Sequence, residues 1–253
     1  MRRPLIAGNW KMNNSVEESI NLVRDLRDRE LSEKVDVLIC PPFTSLYAII
    51  NEIKNSSIKV GAQNMYYEDK GAFTGEVSPA MLKSIGVEYV IIGHSERRQY
   101  FNETDQLINK KLKAALTHGL IPILCVGETL EQREEGMEKE TVKAQIVKAF
   151  KDIEKAEKVV IAYEPVWAIG TGKVATSEQA EEMSEFIRSI IATIYNSEVA
   201  DNIIIQYGGS VKSLNISEIM SQPNIDGVLV GGASLNAEEF AKIVNFGEDK
   251  KGC

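Results

Sequence analysis

The chain has 253 residues, 43% of them apolar and 26% charged, with a formal net charge of -8. That acidity argues against a nucleic acid or an anionic membrane surface as partner, while leaving room for a local cationic site that takes a small anion. No apolar run reaches membrane-spanning length, and the basic start MRRPLIAGNWK lacks the apolar centre and cleavage pattern of a secretion signal. Three cysteines, Cys40, Cys125 and Cys253, are odd in number and lack metal-ligand spacing. They fit free thiols in a reducing cytosol, so a cytoplasmic protein is expected.

Eight short β-branched runs follow one another, at 5–8, 35–40, 58–63, 89–93, 120–126, 159–164, 202–208 and 226–232. Their faces are nearly all apolar, as expected of parallel strands covered on both sides. Helical periodicity lies between them and is clearest over 15–28, 105–119, 140–150 and 177–195. No linker or composition break divides the chain. The expected fold is α/β, a single (β/α)8 barrel over 1–253 with parallel strands. A doubly wound open sheet is the alternative, but no Gly-rich fingerprint follows the first run. In a barrel, chemistry belongs where strands end and loops begin.

The first run ends in Asn9 and Lys11, which strand alternation puts on one side of the chain. Lys11 there is either a fixed cation in a site or a surface lysine whose stem covers apolar atoms. Gln63 and Asn64 close the third run, as polar groups in or behind a site or as loop hydrogen-bonders. The fourth ends in GHSERR (93–98), with Ser95 as a helix N-cap and Glu96 in the first turn. His94 then feels the positive end of a helix, which disfavours its protonation. A neutral imidazole can hydrogen-bond a carbonyl oxygen, or it can simply cap the helix. Glu96 and Arg97 read as structural ion pairs, His118 as a helix C-terminal cation, and Cys125 as packing.

The sixth run leads into YEPVWAIGTGKVA (163–175). Glu164 stands at a strand end, Pro165 stops the strand, glycines fill the loop, and a helix begins near Thr176 or Ser177. That is the layout of a catalytic base coupled to a lid. The seventh and eighth runs end in YGGSV (207–211) and GGASL (231–235). Glycines after a strand expose backbone N–H groups to an anion, and these two loops are the usual barrel phosphate site. Tight turn geometry is the alternative for either pair alone.

AGNWKMN (7–13), GAQN (61–64), GAFTGEVS (71–78), GHSERR, CVGE (125–128), YEPVWAIGTGK (163–173), YGGSV and GGASL resemble, in order, the motifs of the triosephosphate isomerase family. The resemblance implies interconversion of dihydroxyacetone phosphate and glyceraldehyde 3-phosphate without a metal or organic cofactor. It implies Glu164 as base, His94 as neutral electrophile, and Lys11 and Asn9 as binders of substrate and enediolate. It also implies phosphate on the backbone N–H groups of Gly170, Ser210, Gly231 and Gly232, under a lid at 165–175. Val174 stands where many members carry Thr, which touches only a hinge hydrogen bond. Segment 63–78, with Tyr66, Tyr67 and Phe73, reads as a partner surface or as a loop packed on its own barrel; the resemblance implies a homodimer, or a higher oligomer, in which Thr74 approaches the partner's site and Met12 receives the loop. EDKKGC (248–253) is expected to be a frayed tail. Competing readings are another phosphate-binding isomerase barrel, or a non-catalytic triose phosphate binder.

Overall fold

The computed structural model describes residues 2–168 and 175–248. Gly170, Val174 and most of the C-terminal tail lie outside the described residues. Eight strands run in chain order: β1 (Leu5–Asn9), β2 (Asp36–Cys40), β3 (Lys59–Ala62), β4 (Tyr89–Ile92), β5 (Ile121–Val126), β6 (Val160–Tyr163), β7 (Ile204–Tyr207) and β8 (Gly227–Val230). Each pairs in parallel with the next, and β1 also pairs with β8, so the sheet closes into a barrel.

The longer connecting helices are α1 (Val16–Arg27), α2 (Phe43–Glu52), α5 (Asp105–Thr117), α7 (Glu138–Ala149), α8 (Ser177–Ile194) and α11 (Ala237–Val244). The shorter ones are α3 (Pro79–Ser84), α4 (Ser95–Tyr100), α6 (Leu130–Glu134), α9 (Ser197–Asn202) and α10 (Ile216–Met220). Local chemistry fixes many of their starts. Ser15 and Glu18 form a capping box at α1, and Thr176 and Gln179 form another at α8. Ser78 caps α3 with Pro79 at its first position. The four periodic stretches read from sequence fall on α1, α5, α7 and α8.

Alternation along the strands divides the core in two. Leu5, Ala7, Leu38, Tyr89, Ile91, Ile123, Cys125 and Leu229 fill the barrel interior. Ile6, Ile39, Val60, Val90, Leu124 and Ile161 face outward under the helices. Burial on both faces is why the strands read as largely apolar runs. The interior also takes a polar residue: Gln206 is fully buried, and its Nε2 donates to Leu5 O at 3.0 Å and Val228 O at 3.2 Å. Outside the closing seam, Asp226 accepts from Arg2, from Arg188 and from the Ile205 N–H. These bonds tie the start of β8 to β7 and to the segment entering β1.

The seam also demands a glycine. A Cβ on Gly227 would lie 2.1 Å from Leu5 O, a backbone atom that cannot swing aside. We expect Gly227→Ala to lose roughly 1–3 kcal/mol or more of stability, read from urea unfolding. A variant as stable as the parent would show that β1 and β8 do not close this tightly.

Candidate active site

β1 carries Asn9 to the barrel mouth on the same side as the interior residues Leu5 and Ala7, and Asn9 is buried. The strand stops there. Lys11 has φ 52°, in the left-handed region that non-glycine residues seldom occupy. Alternation therefore does not place Lys11, contrary to the sequence reading; a fixed turn does. The Lys11 N–H donates to Asn9 Oδ1 at 3.0 Å. Gln63 Nε2 donates to Lys11 O and to Cys40 O, each at 2.8 Å. Gln63 thus sits behind the site and holds its backbone. Asn64 faces elsewhere, accepting from the buried Lys111 at 2.7 Å.

At the end of β4, His94 rather than Ser95 is the N-cap of α4, and Ser95 is its first residue. His94 Nδ1 accepts the Glu96 N–H at 3.2 Å, which puts the proton of a neutral ring on Nε2. Nε2 lies 2.9 Å from Glu164 Oε1, and the Ser95 N–H donates to Glu164 Oε2 at 2.9 Å. Glu96 pairs with Lys11 Nζ at 2.6 Å. Glu164, immediately after β6, is 2% exposed, and His94 is 6% exposed.

Burial alone would raise the Glu164 pKa. The His94 charge and hydrogen bond, the Ser95 N–H and Lys11 together outweigh it, so the carboxyl sits below its ordinary value. Burial likewise disfavours charge on His94, but the Glu164 carboxylate more than offsets it and raises the imidazole pKa.

Asn9, Lys11, His94, Glu164, Ser210, Gly231 and Gly232 line one cavity of about 890 Å3. The glycines divide by cause. A Cβ on Gly209 would meet Tyr207 Oη at 2.2 Å, and one on Gly208 would meet Glu164 Cγ at 3.0 Å, so packing explains that pair. A Cβ on Gly232 would meet nothing within 4 Å, and one on Gly231 only Lys11 Cε at 3.6 Å. Crowding does not demand glycine there, and the backbone is open to the cavity.

Sequence reading missed Glu128, which follows β5 in the CVGE motif and is fully buried. Its Oε1 accepts from Trp167 Nε1 at 2.8 Å, Tyr163 Oη at 3.0 Å and Arg133 Nη1 at 3.0 Å. It anchors the turn Val166–Ala168 that begins the expected lid, whose residues 169–174 lie outside the described ones. An acid directly after an apolar strand was the available signal. Cys125 is interior packing, with burial holding its thiol pKa well up. Among the described residues, no helix is long and apolar enough to cross a membrane.

A closed (β/α)8 barrel, with a buried carboxylate, an imidazole and a cation around one cavity at its mouth, has the layout of a barrel enzyme. A family model described as Triosephosphate isomerase matches residues 4–247. The triosephosphate isomerase of Clostridium perfringens (strain 13 / Type A) is 56% identical, over 97% of this chain and all of that protein. That of Clostridium tetani is 56% identical over 97% of each chain, and that of Clostridium botulinum (strain ATCC 19397 / Type A) is 55% identical over 97% of this chain. The chain belongs to the triosephosphate isomerase family.

The lowered Glu164 pKa has a sign. Its contribution to stability is complete above the ordinary value of 4.5 and is lost as pH falls through the lower folded value. We expect urea-unfolding stability of Glu164→Gln to fall less steeply below pH 4.5 than that of the parent. Parallel curves would mean that Glu164 is not held ionised by its neighbours.

Proposed function

We propose that Glu164 is the base that moves a proton between the two carbons of a triose phosphate, with His94, Lys11 and Asn9 serving the oxygens. The chain interconverts dihydroxyacetone phosphate and D-glyceraldehyde 3-phosphate, a step of glycolysis and gluconeogenesis. Glu164 takes the C1 proton of dihydroxyacetone phosphate; the C–H electron pair becomes the C1–C2 double bond and the carbonyl oxygen becomes an oxyanion. His94 donates from Nε2 to that oxygen and shuttles a proton between the two oxygens, while the Lys11 charge stabilises the enediolate. Glu164 returns its proton to C2. The Glu96 N–H at His94 Nδ1 supports a ring that donates from Nε2.

The observation that carries this reading is the 2.9 Å approach of His94 Nε2 to Glu164 Oε1 inside a cavity that Lys11 also lines. The phosphate takes the opposite side, on the backbone N–H groups of Ser210, Gly231, Gly232 and Gly170. A lid over 165–175 excludes water and keeps the enediolate from eliminating phosphate. The enzyme works in the cytoplasm.

The working form is a homodimer joined through segment 63–78. Phe73 is 40% exposed and Met12 is 96% exposed, apolar surface that a second copy covers. The segment holds its own shape, with Tyr66 and Phe73 ring centroids 4.7 Å apart and Lys110 over the Tyr67 ring.

A coupled assay with glyceraldehyde 3-phosphate tests the assignment. Glu164→Gln should lower kcat by about 10²–10⁴-fold while inorganic phosphate still competes; near-parental turnover would remove Glu164 from the role. Lys11→Met should raise KM and lower kcat together, because the cation serves bound substrate and enediolate alike. Unchanged affinity for a phosphate-bearing enediolate mimic would make Lys11 a surface residue. Phe73→Glu combined with Thr74→Glu should weaken association and give low activity that recovers with protein concentration. Sedimentation and activity across one dilution series check this, and a monomer fully active at every concentration contradicts the interface.

A further inference from the structure

The loop after β7 has no regular structure until α10, yet in the reading above it must present the Ser210 N–H at a fixed place. Two side chains give it shape. Asn215 closes it on itself: Nδ2 donates to Ser210 O at 3.0 Å, and Oδ1 accepts the Lys212 N–H at 2.8 Å. Glu239 holds it from outside. Its Oε1 accepts the Ser213 N–H at 2.8 Å, and its Oε2 accepts from Ser213 Oγ at 3.0 Å.

Glu239 belongs to α11, the helix that follows the Gly231–Gly232 turn of β8. Its own N–H donates at 2.9 Å to Asn236 Oδ1, the cap of that helix, so its backbone is fixed in the first turn. The side chain therefore bridges the two glycine loops. It lines the same cavity as Ser210, Gly231 and Gly232, but both oxygens are given to Ser213. A carboxylate beside a phosphate site is otherwise unfavourable. Here its charge is engaged by two donors on the loop.

We propose that Glu239 is a positioning residue for phosphate recognition: its bridge to Ser213 sets the separation between the loop N–H groups after β7 and those after β8. The proposal rests on the reading that the substrate phosphate binds between these loops. An anion held by both loops is bound well only at one spacing, so losing the bridge weakens the phosphate without touching the reacting carbons. The bridge needs shape more than charge. Glutamine in place of Glu239 can accept from the Ser213 N–H and donate to Ser213 Oγ, preserving both bonds.

The test compares Glu239→Ala and Glu239→Gln with the parent. Three quantities are read: KM for glyceraldehyde 3-phosphate, inhibition by inorganic phosphate, and turnover of unphosphorylated glyceraldehyde. For Glu239→Ala we expect KM and the phosphate inhibition constant each to rise about tenfold, with turnover of glyceraldehyde unchanged. For Glu239→Gln we expect all three within about twofold of the parent. Equal loss on the phosphate-free substrate would reveal a general disturbance and overturn the proposal. So would tighter phosphate binding in both variants, the mark of a purely repulsive charge. Phosphate that competes equally in the parent and in Glu239→Ala overturns the bridge alone. Phosphate that fails to compete in the parent overturns the underlying phosphate site as well.

Discussion

An ionised carboxylate almost sealed from water is the constraint around which the barrel mouth is built. Glu164 is 2% exposed, and burying a charge is costly unless donors replace its hydration. The replacement comes from the neighbouring unit of the barrel: His94 through Nε2 and Ser95 through its N–H. The backbone is fixed as firmly. The Glu164 N–H donates to Val126 O at 2.7 Å, and a Cβ on Gly127 would lie 1.7 Å from Glu164 O. β4, β5 and β6, neighbours in the parallel sheet, thus converge on one side chain.

The remaining charges follow from that placement. Lys11 lies across the cavity in a left-handed turn held by Asn9 and Gln63, so its ammonium is aimed by backbone geometry rather than left to a flexible stem. It pairs with Glu96, whose own N–H meets His94 Nδ1. Lysine, glutamate and histidine therefore form a connected set in which moving one disturbs the next. A chain of net charge -8 can still admit an anion at such a place, because a local cation acts over distances shorter than the screening length.

The fold was legible because burial on both strand faces writes eight apolar runs into the sequence. Asn9 and Glu164 were legible as polar residues at the ends of such runs. Lys11 was found for an incomplete reason, since its position depends on a left-handed residue that alternation does not encode. The contact of His94 with Glu164 was not legible, because the two residues stand seventy positions apart in the chain. Gln63 and Glu128 stand at or just after apolar runs, but the hydrogen bonds through which they and Glu239 act reach residues that no local pattern names.

The most direct measurement is a crystal structure with a phosphate-bearing enediolate mimic bound. The expected result has the phosphate on the N–H groups of Ser210, Gly231 and Gly232, and the mimic's oxygens at His94 Nε2 and Lys11 Nζ. The His94–Glu164 hydrogen bond would be broken and the Glu164 carboxylate would lie beside the mimic's carbons. A mimic bound in the reverse sense, with its phosphate against His94, or bound outside this cavity, would contradict the assignment of Glu164 as the base.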